Sequence, residues 1–294
     1  MTKILVTGSN GQVGSELQKL STDFSSFNFT FVDVADLDIT DDAAVQTFFR
    51  KNAFDYCINC AAYTAVDKAE ETTEVAFNVN VEGVKNLAQA ALLHQCQLIQ
   101  LSTDYVYHNQ QNTPFKETDP TSPKSVYAST KLEGDEITQK ILPTSMVIRT
   151  SWVYSTFGHN FVKTMIRLGK ERETLNVVFD QIGTPTYAFD LAKAILTIID
   201  KVQTGNIPRA QLSGIFHYSN EGVTSWYDFA TAIFKLENIS CKVSPIETKD
   251  YPTPAARPPF SLLNKAKIKN TFDLEIPHWE VSLKTCLDAL KTNT

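Results

Sequence analysis

No apolar run in the sequence approaches the roughly 18 residues of a membrane-spanning helix. The opening Met1-Thr2-Lys3 leads directly into an apolar segment and a glycine turn, without a signal-peptide pattern. The expectation is a cytoplasmic protein with no membrane partner. Cysteine is sparse, at five residues: Cys57, Cys60, Cys96, Cys241 and Cys286. Only Cys57 and Cys60 lie close together, in Asp55-Tyr-Cys-Ile-Asn-Cys-Ala-Ala62, which reads as a buried strand. Residues three apart on a strand face opposite sides of the sheet, which argues against a shared metal or disulfide there. A zinc site would also want a second pair, and none exists. The histidines (His94, His108, His159, His217, His278) show no metal-ligand spacing either. Positive charge is in deficit, with 27 Lys and Arg against 33 Asp and Glu. The resulting field does not favour nucleic acid or an anionic membrane. Internal repeats and low-complexity linkers are missing too.

What remains is an ordinary globular chain of 294 residues, 43% hydrophobic and 20% charged, long enough to bury a substantial core. Its first half alternates strands and helices. Strands are expected at Ile4–Thr7, Phe29–Val34, Tyr56–Asn59, Leu98–Leu101 and Met146–Ile148. Helices are expected at Gln12–Leu20, with Val13, Leu17 and Leu20 on one face, at Asp41–Arg50 behind a Thr40 cap, and at Ser125–Lys140. A long helix from Thr73 to His94 would carry Val75, Val79, Leu87 and Ala91 inward. Such alternation predicts an α/β protein with a parallel sheet covered by helices on both faces. After Ser151 the pattern loosens, with helices near Phe161–Gly169, Phe189–Ile199 and Trp226–Leu236, and short strands near Val177–Phe179 and Ile215–Tyr218. A proline-rich segment, Tyr251-Pro-Thr-Pro-Ala-Ala-Arg-Pro-Pro259, follows.

Between the first strand and first helix stands Gly8-Ser-Asn-Gly11-Gln-Val-Gly14. Glycines here allow a tight turn and let backbone approach a pyrophosphate, while the helix N-terminus offers free N–H groups and partial positive charge. Asp33 follows Gly14 by nineteen positions, where a carboxylate would meet an adenosine ribose. On charge grounds Asp33 favours NAD over NADP, but as an ordinary strand-end residue it would decide nothing, so the choice stays open.

The chemistry-bearing residues lie further on. Tyr127-Ala-Ser-Thr-Lys131 sits on an expected helix, which makes tyrosine and lysine neighbours on one face. An ammonium beside a phenol is expected to lower its pKa, giving Tyr127 a role as proton donor or acceptor at a carbonyl or alcohol. Upstream, Ser102-Thr-Asp-Tyr-Val-Tyr107 leaves the end of the fourth strand. Ligands of open parallel sheets bind beyond the carboxyl ends of strands, so Thr103 is placed to hydrogen-bond a carbonyl beside Tyr127. Glycine turn, strand-end hydroxyl and Tyr-x-x-x-Lys in this order are far more specific together than apart.

These residues resemble the extended short-chain dehydrogenase/reductase superfamily and, within it, the dTDP-4-dehydrorhamnose reductase family. The resemblance runs nearly end to end, through Thr7–Gly14, Asp36-Leu-Asp-Ile-Thr40, Asn59–Glu70, Ser102–Tyr107, Arg149-Thr-Ser-Trp-Val-Tyr154, Asp180–Thr186, Thr224-Ser-Trp-Tyr-Asp228 and Tyr251–Pro258. It implies a Rossmann-type doubly wound sheet over residues 1–150 and a smaller α/β, mainly substrate-binding portion over residues 151–294, some segments of which return to the sheet. It implies NADPH or NADH as cofactor, contacted by Gly8, Asn10, Gly11, Gln12, Val13, Gly14, Asp33, Asp38, Ile39, Ala61, Ala62, Tyr63 and Asn80, with Tyr127 and Lys131 at the nicotinamide end. Val66, Thr103, Asp104, Tyr105, Tyr127 and Trp152 would line the sugar pocket, and Arg257 would grip a diphosphate.

The implied reaction is reduction of the C4 keto group of a dTDP-linked 4-keto-6-deoxysugar by a monomer or homodimer. Relatives that dimerise through Mg2+ make Glu16 a candidate ligand, without a full ligand set. Two departures stand out. His108-Asn109 replaces a usual glycine, and Phe260 stands where an asparagine is more usual before Ser261. The rival readings are an epimerase or dehydratase of the same superfamily, which would retain its cofactor, and a non-catalytic subunit resembling methionine adenosyltransferase β.

Overall fold

The computed structural model describes residues 1–292. The chain begins with β1 (Thr2–Thr7), α1 (Gln12–Leu20), β2 (Phe27–Val32), α2 (Asp42–Asn52) and β3 (Tyr56–Asn59). A helical run follows as α3 (Val66–Ala69), α4 (Thr73–Phe77), a π-helical turn (Asn78–Gly83) and α5 (Val84–Leu93). Next come β4 (Gln97–Thr103), α6 (Val126–Ile141) and β5 (Met146–Thr150). Five of these strands and β10, below, form one parallel sheet in the order β10-β5-β4-β3-β1-β2. The chain leaves β1 toward one edge and resumes at β3 on its other side. That reversal opens a crevice at the carboxyl ends of β1 and β3.

The sheet is apolar because both faces are covered. One face packs Ile4, Val6, Ile58 and Ile148 against Leu17 of α1 and Leu191 and Ile195 of α8 (Ala188–Gln203). The opposite face packs Leu5, Cys57 and Leu98 against Val45, Phe49 and Leu87. Cys57 belongs to this second layer and Cys60 packs against the first, so the pair does face opposite ways. A buried polar ladder crosses the strand ends. Thr7 donates to Asn59 at 2.6 Å, and Asn59 donates to Gln100 at 2.7 Å.

After β5 the chain lays down β6 (Val153–Tyr154), α7 (Phe161–Glu171), β7 (Thr174–Val178), β8 (Ile182–Gly183) and β9 (Thr186–Tyr187). It returns through α8 and β10 (Gly214–Tyr218) to the main sheet, then forms β11 (Thr224–Ser225), α9 (Trp226–Glu237), β12 (Lys242–Ile246), α10 (Ala266–Phe272) and α11 (Trp279–Thr292). β12 pairs in parallel with β7. A separate apolar cluster, including Tyr154, Met165, Phe229, Ile233 and Leu283, holds this outer part together.

The α/β class, the parallel sheet and α1 agree with the sequence reading, and several details are corrected. β2 ends at Val32, leaving Val34 exposed. α2 is capped by Asp41, whose carboxylate accepts Ala44 N–H at 3.0 Å, because the Thr40 hydroxyl instead donates to Asp38. The expected long helix at 73–94 widens into a π turn, and Val75 is 49% exposed rather than inward. That turn carries Asn80, whose side chain accepts Tyr63 N–H at 2.9 Å and donates to Tyr63 C=O at 3.2 Å and to the Thr130 hydroxyl at 3.1 Å. Holding a loop and a neighbouring helix at once needs a position that regular α periodicity would not supply. The elements β12, α10 and α11 were not anticipated.

Candidate active site

The glycine turn is shaped by close approach. Gly8 has φ +63° and sits so near the next strand end that a Cβ would lie 2.5 Å from Ala61 N. A Cβ on Gly14 would lie 2.5 Å from Gly8 C=O. The turn therefore presses against the 61–63 segment, and α1 starts at Gln12 with no side-chain cap. Uncapped N–H groups at such a terminus suit a pyrophosphate. Asp33 follows β2 and accepts Asn10 N–H at 2.9 Å, so it braces the turn. The Asp38 carboxylate accepts the N–H and hydroxyl of Thr40, while Ile39 is buried beside it. Asn80 is buried and holds the backbone of Tyr63, so it acts on the crevice through that loop. The Gln12 side chain reaches across to Val153 C=O and to Asn160, tying the turn to the outer part of the molecule. These residues fit a dinucleotide: a backbone cradle for phosphates, a carboxylate for the ribose and an apolar edge for the base.

Beyond β4, α6 starts sharply because the Ser125 hydroxyl accepts Ala128 N–H and Glu70 accepts Val126 N–H at 2.8 Å. This fixes Tyr127 and Lys131 on one face. Lys131 is 3% exposed, and its ammonium donates to Leu101 C=O at 2.7 Å. The Thr103 hydroxyl lies close enough to the Tyr127 phenol to favour its ionised form. Thr103, Tyr127 and Lys131 thus meet at the carboxyl end of β4. The expected lowering of the Tyr127 pKa is not found. Burial, with smaller contributions from Asp104 and Asp135, pushes the phenol up to about 12. Burial also holds the Lys131 ammonium below its usual range, opposed by the nearby Asp135. Asp135 in turn accepts from the Ser102 hydroxyl at 2.8 Å and from Arg149 Nε at 3.1 Å, and Arg149 donates to the Tyr107 hydroxyl at 2.7 Å.

The side of the site around Trp152 is aromatic. Trp152, with φ +47°, stacks on Trp226 at 3.7 Å between ring centroids, and Phe161 leans on Trp226 at 4.6 Å. Tyr105 packs edge-on against Tyr127 at 5.6 Å. On the far side of Tyr105 lies a cavity of about 470 Å³, lined among others by Asp67, Met165, Arg172, Trp226, Tyr251 and Arg257. Arg257 reaches this cavity, but its guanidinium is held bidentately by Asp67 at 2.6 and 2.7 Å. A diphosphate there would compete with that carboxylate. Val66 opens α3, next to Asp67, and is half-buried. Asp104, expected in the sugar pocket, is not among the residues lining this cavity and is 2% exposed. Phe260 joins Phe115 and Leu263 in a small apolar cluster. Glu16 is wholly buried and accepts the Ser155 hydroxyl at 2.6 Å. Among the described residues no three His, Cys, Asp or Glu side chains are grouped to hold a metal.

Residue-level reasoning missed Asp67, Arg172, Trp226 and the Asp135–Arg149 pair. Trp226 was within reach, since it stands in the Thr224-Ser-Trp-Tyr-Asp228 motif. Asp67 and Arg149 also stand in such motifs (Asn59–Glu70 and Arg149–Tyr154), whereas Arg172 and Asp135 are ordinary charges until the fold brings them to their partners.

The family model described as RmlD substrate binding domain matches residues 1–292. The dTDP-4-dehydrorhamnose reductase of Aggregatibacter actinomycetemcomitans is 41% identical over 291 residues, covering 97% of this chain and 98% of that protein. Among solved structures, a dTDP-4-dehydrorhamnose reductase from Clostridium acetobutylicum superposes with a TM-score of 0.92 at 43% identity, covering 99% of this chain and all of its own. One from Bacillus anthracis, in complex with NADP, gives 0.92 at 36% identity, covering 98% and 100%.

Proposed function

The chain belongs to the dTDP-4-dehydrorhamnose reductase family, and on that premise we propose how its own residues carry out NAD(P)H-dependent reduction of the C4 keto group of dTDP-4-dehydro-L-rhamnose. The observation that carries the reading is the meeting of Thr103, Tyr127 and Lys131 at the carboxyl end of β4. Residues 1–150 form the cofactor-binding unit in this reading, and residues 151–294 mainly bind the substrate. The glycine turn, Asp33, Ile39 and the 61–63 segment would hold the cofactor, which supplies a hydride when bound. Thr103 hydrogen-bonds the C4 carbonyl. Tyr127 gives its phenolic proton to O4 as the alkoxide develops. A phenol at about 12 keeps that proton at neutral pH, yet remains a stronger acid than the alcohol it forms. Lys131 stabilises the phenolate left behind. The stacked pair Trp152 and Trp226 offers an apolar platform for the deoxysugar, and Arg257 meets the diphosphate once it exchanges Asp67 for phosphate oxygens.

Four of the five free cysteines are buried and none is in a disulfide, which fits a reducing cytoplasm, and the chain acts as a monomer or homodimer. The test is loss of absorbance at 340 nm with dTDP-4-dehydro-L-rhamnose and NADPH or NADH in parallel. Stoichiometric consumption matched to product supports the reductase and ranks the cofactors. Conversion of sugar without net consumption would point to an epimerase.

A further inference from the structure

We propose that Asp104 is a positioning residue acting through Thr103, and that only its protonated carboxyl leaves the Thr103 hydroxyl free to point at the substrate carbonyl. The inference rests on the role given to Thr103 above. A threonine hydroxyl has one proton to donate and two lone pairs. Thr103 accepts Tyr105 N–H at 3.2 Å on one side and donates to Asp104 Oδ1 at 3.3 Å on the other. The same hydroxyl is within hydrogen-bonding reach of Tyr127. Its single proton is therefore contested. An ionised Asp104 claims it, because a charge-assisted bond outcompetes a neutral one. A protonated Asp104 reverses the bond, donating to the threonine and releasing the threonine proton toward the C4 oxygen.

The surroundings make the neutral form accessible. Asp104 is 2% exposed, and its Oδ2 is buried without a well-formed hydrogen bond, although the Ser261 hydroxyl acts on the carboxyl. The groups acting most on it are the Ser261 and Thr103 hydroxyls and the N–H groups of Asp104 and Tyr105. The titratable neighbours facing it are Tyr105 on its own turn and Tyr127 from α6, with Arg257 and Asp67 beyond Tyr105. The groups acting most on the carboxyl are hydroxyls and N–H groups and not cations, unlike at Asp135, which has Arg149 and Lys131. Burial accordingly pushes the Asp104 carboxyl up to about 7. It is protonated below that value and ionised above it, so the Thr103 hydroxyl is released on the acid side and captured on the alkaline side.

The experiment measures kcat and KM against pH, from about 5.5 to 9, for the wild type, Asp104→Asn and Ser261→Ala. The carboxyl 13C signal of the ligand-free proteins is titrated in parallel. Wild-type kcat is expected to fall several-fold as pH rises through about 7, with a carboxyl midpoint in the same range that is absent from Asp104→Asn. Asp104→Asn cannot ionise, so its profile should lose that arm. Ser261→Ala removes a hydroxyl that favours the ionised form and should move both midpoint and arm to higher pH. An arm that persists in Asp104→Asn belongs to Lys131 or Tyr127 and overturns the proposal, as does a parallel loss at every pH. A carboxyl midpoint in the ordinary carboxylate range also overturns it. A wild type that consumes no reduced cofactor at any pH instead sinks the functional reading, a failure separable from that of Asp104.

Discussion

The wall of the crevice that would hold the cofactor is made largely of backbone: the turn from Gly8 to Gly14, the uncapped start of α1 and the 61–63 segment held by Asn80. The wall around the cavity proposed for the sugar is made of side chains, with Trp152 stacked on Trp226 and Arg257 gripped by Asp67. A backbone site needs consecutive residues with particular conformational freedom, so it writes a short motif. A side-chain site gathers contributors from α3, α7, α9 and the proline-rich segment, which are adjacent only after folding. Between the walls, Thr103, Tyr127 and Lys131 combine both styles: a strand end and a helix start set two rigid frames, and three side chains meet across them.

The comparison can be broken first at the junction. Tyr127→Phe is expected to cut turnover by about 10²–10⁴-fold, while NAD(P)H binding, followed by fluorescence titration, changes little. Unchanged turnover would remove the phenol from the mechanism. Beneath it, Asp135→Ala strands the buried Arg149 guanidinium and should lower unfolding free energy by about 3–5 kcal/mol in denaturant titrations. A loss below 1 kcal/mol would show that the pair is solvated and not a support for Lys131. On the backbone wall, Gly14→Ala forces a Cβ against Gly8 C=O and should cost about 1–3 kcal/mol of stability together with weaker cofactor binding. If cofactor affinity survives, the turn is not the phosphate cradle. The smallest effect belongs to the side-chain wall. Asp67→Asn should alter stability by less than about 1 kcal/mol, since the Asp67 side chain is 43% exposed. It should also lower the KM for the nucleotide sugar by freeing Arg257; a raised KM would mean that Asp67 orients the arginine for the diphosphate.

Much of the sheet was legible because a strand buried on both faces must be continuously apolar, as Tyr56–Ile58 and Met146–Ile148 are. α1 was legible down to its ends because a glycine turn precedes it and one face carries Val13, Leu17 and Leu20. Local competition hid other details. Asp41 and Thr40 are both good caps, and only the Asp38 carboxylate, by taking the Thr40 hydroxyl, decides between them. The π turn was illegible because its cause, the bonds of Asn80 to Tyr63 and Thr130, joins residues 17 and 50 positions away. The lowered phenol pKa expected for Tyr127 followed from the i, i+4 lysine alone. Burial reversed its sign, and burial is a property of the surroundings.

By itself the sequence determined the α/β class, the phosphate turn, the order of Thr103, Tyr127 and Lys131, and the family likeness, because each is written in consecutive residues or helical spacing. The tertiary structure decided which charges are paired, in which direction burial moves Tyr127 and Asp104, and which aromatic rings stack together. These depend on solvent exclusion and on contacts between distant segments, and no local pattern of residues encodes either.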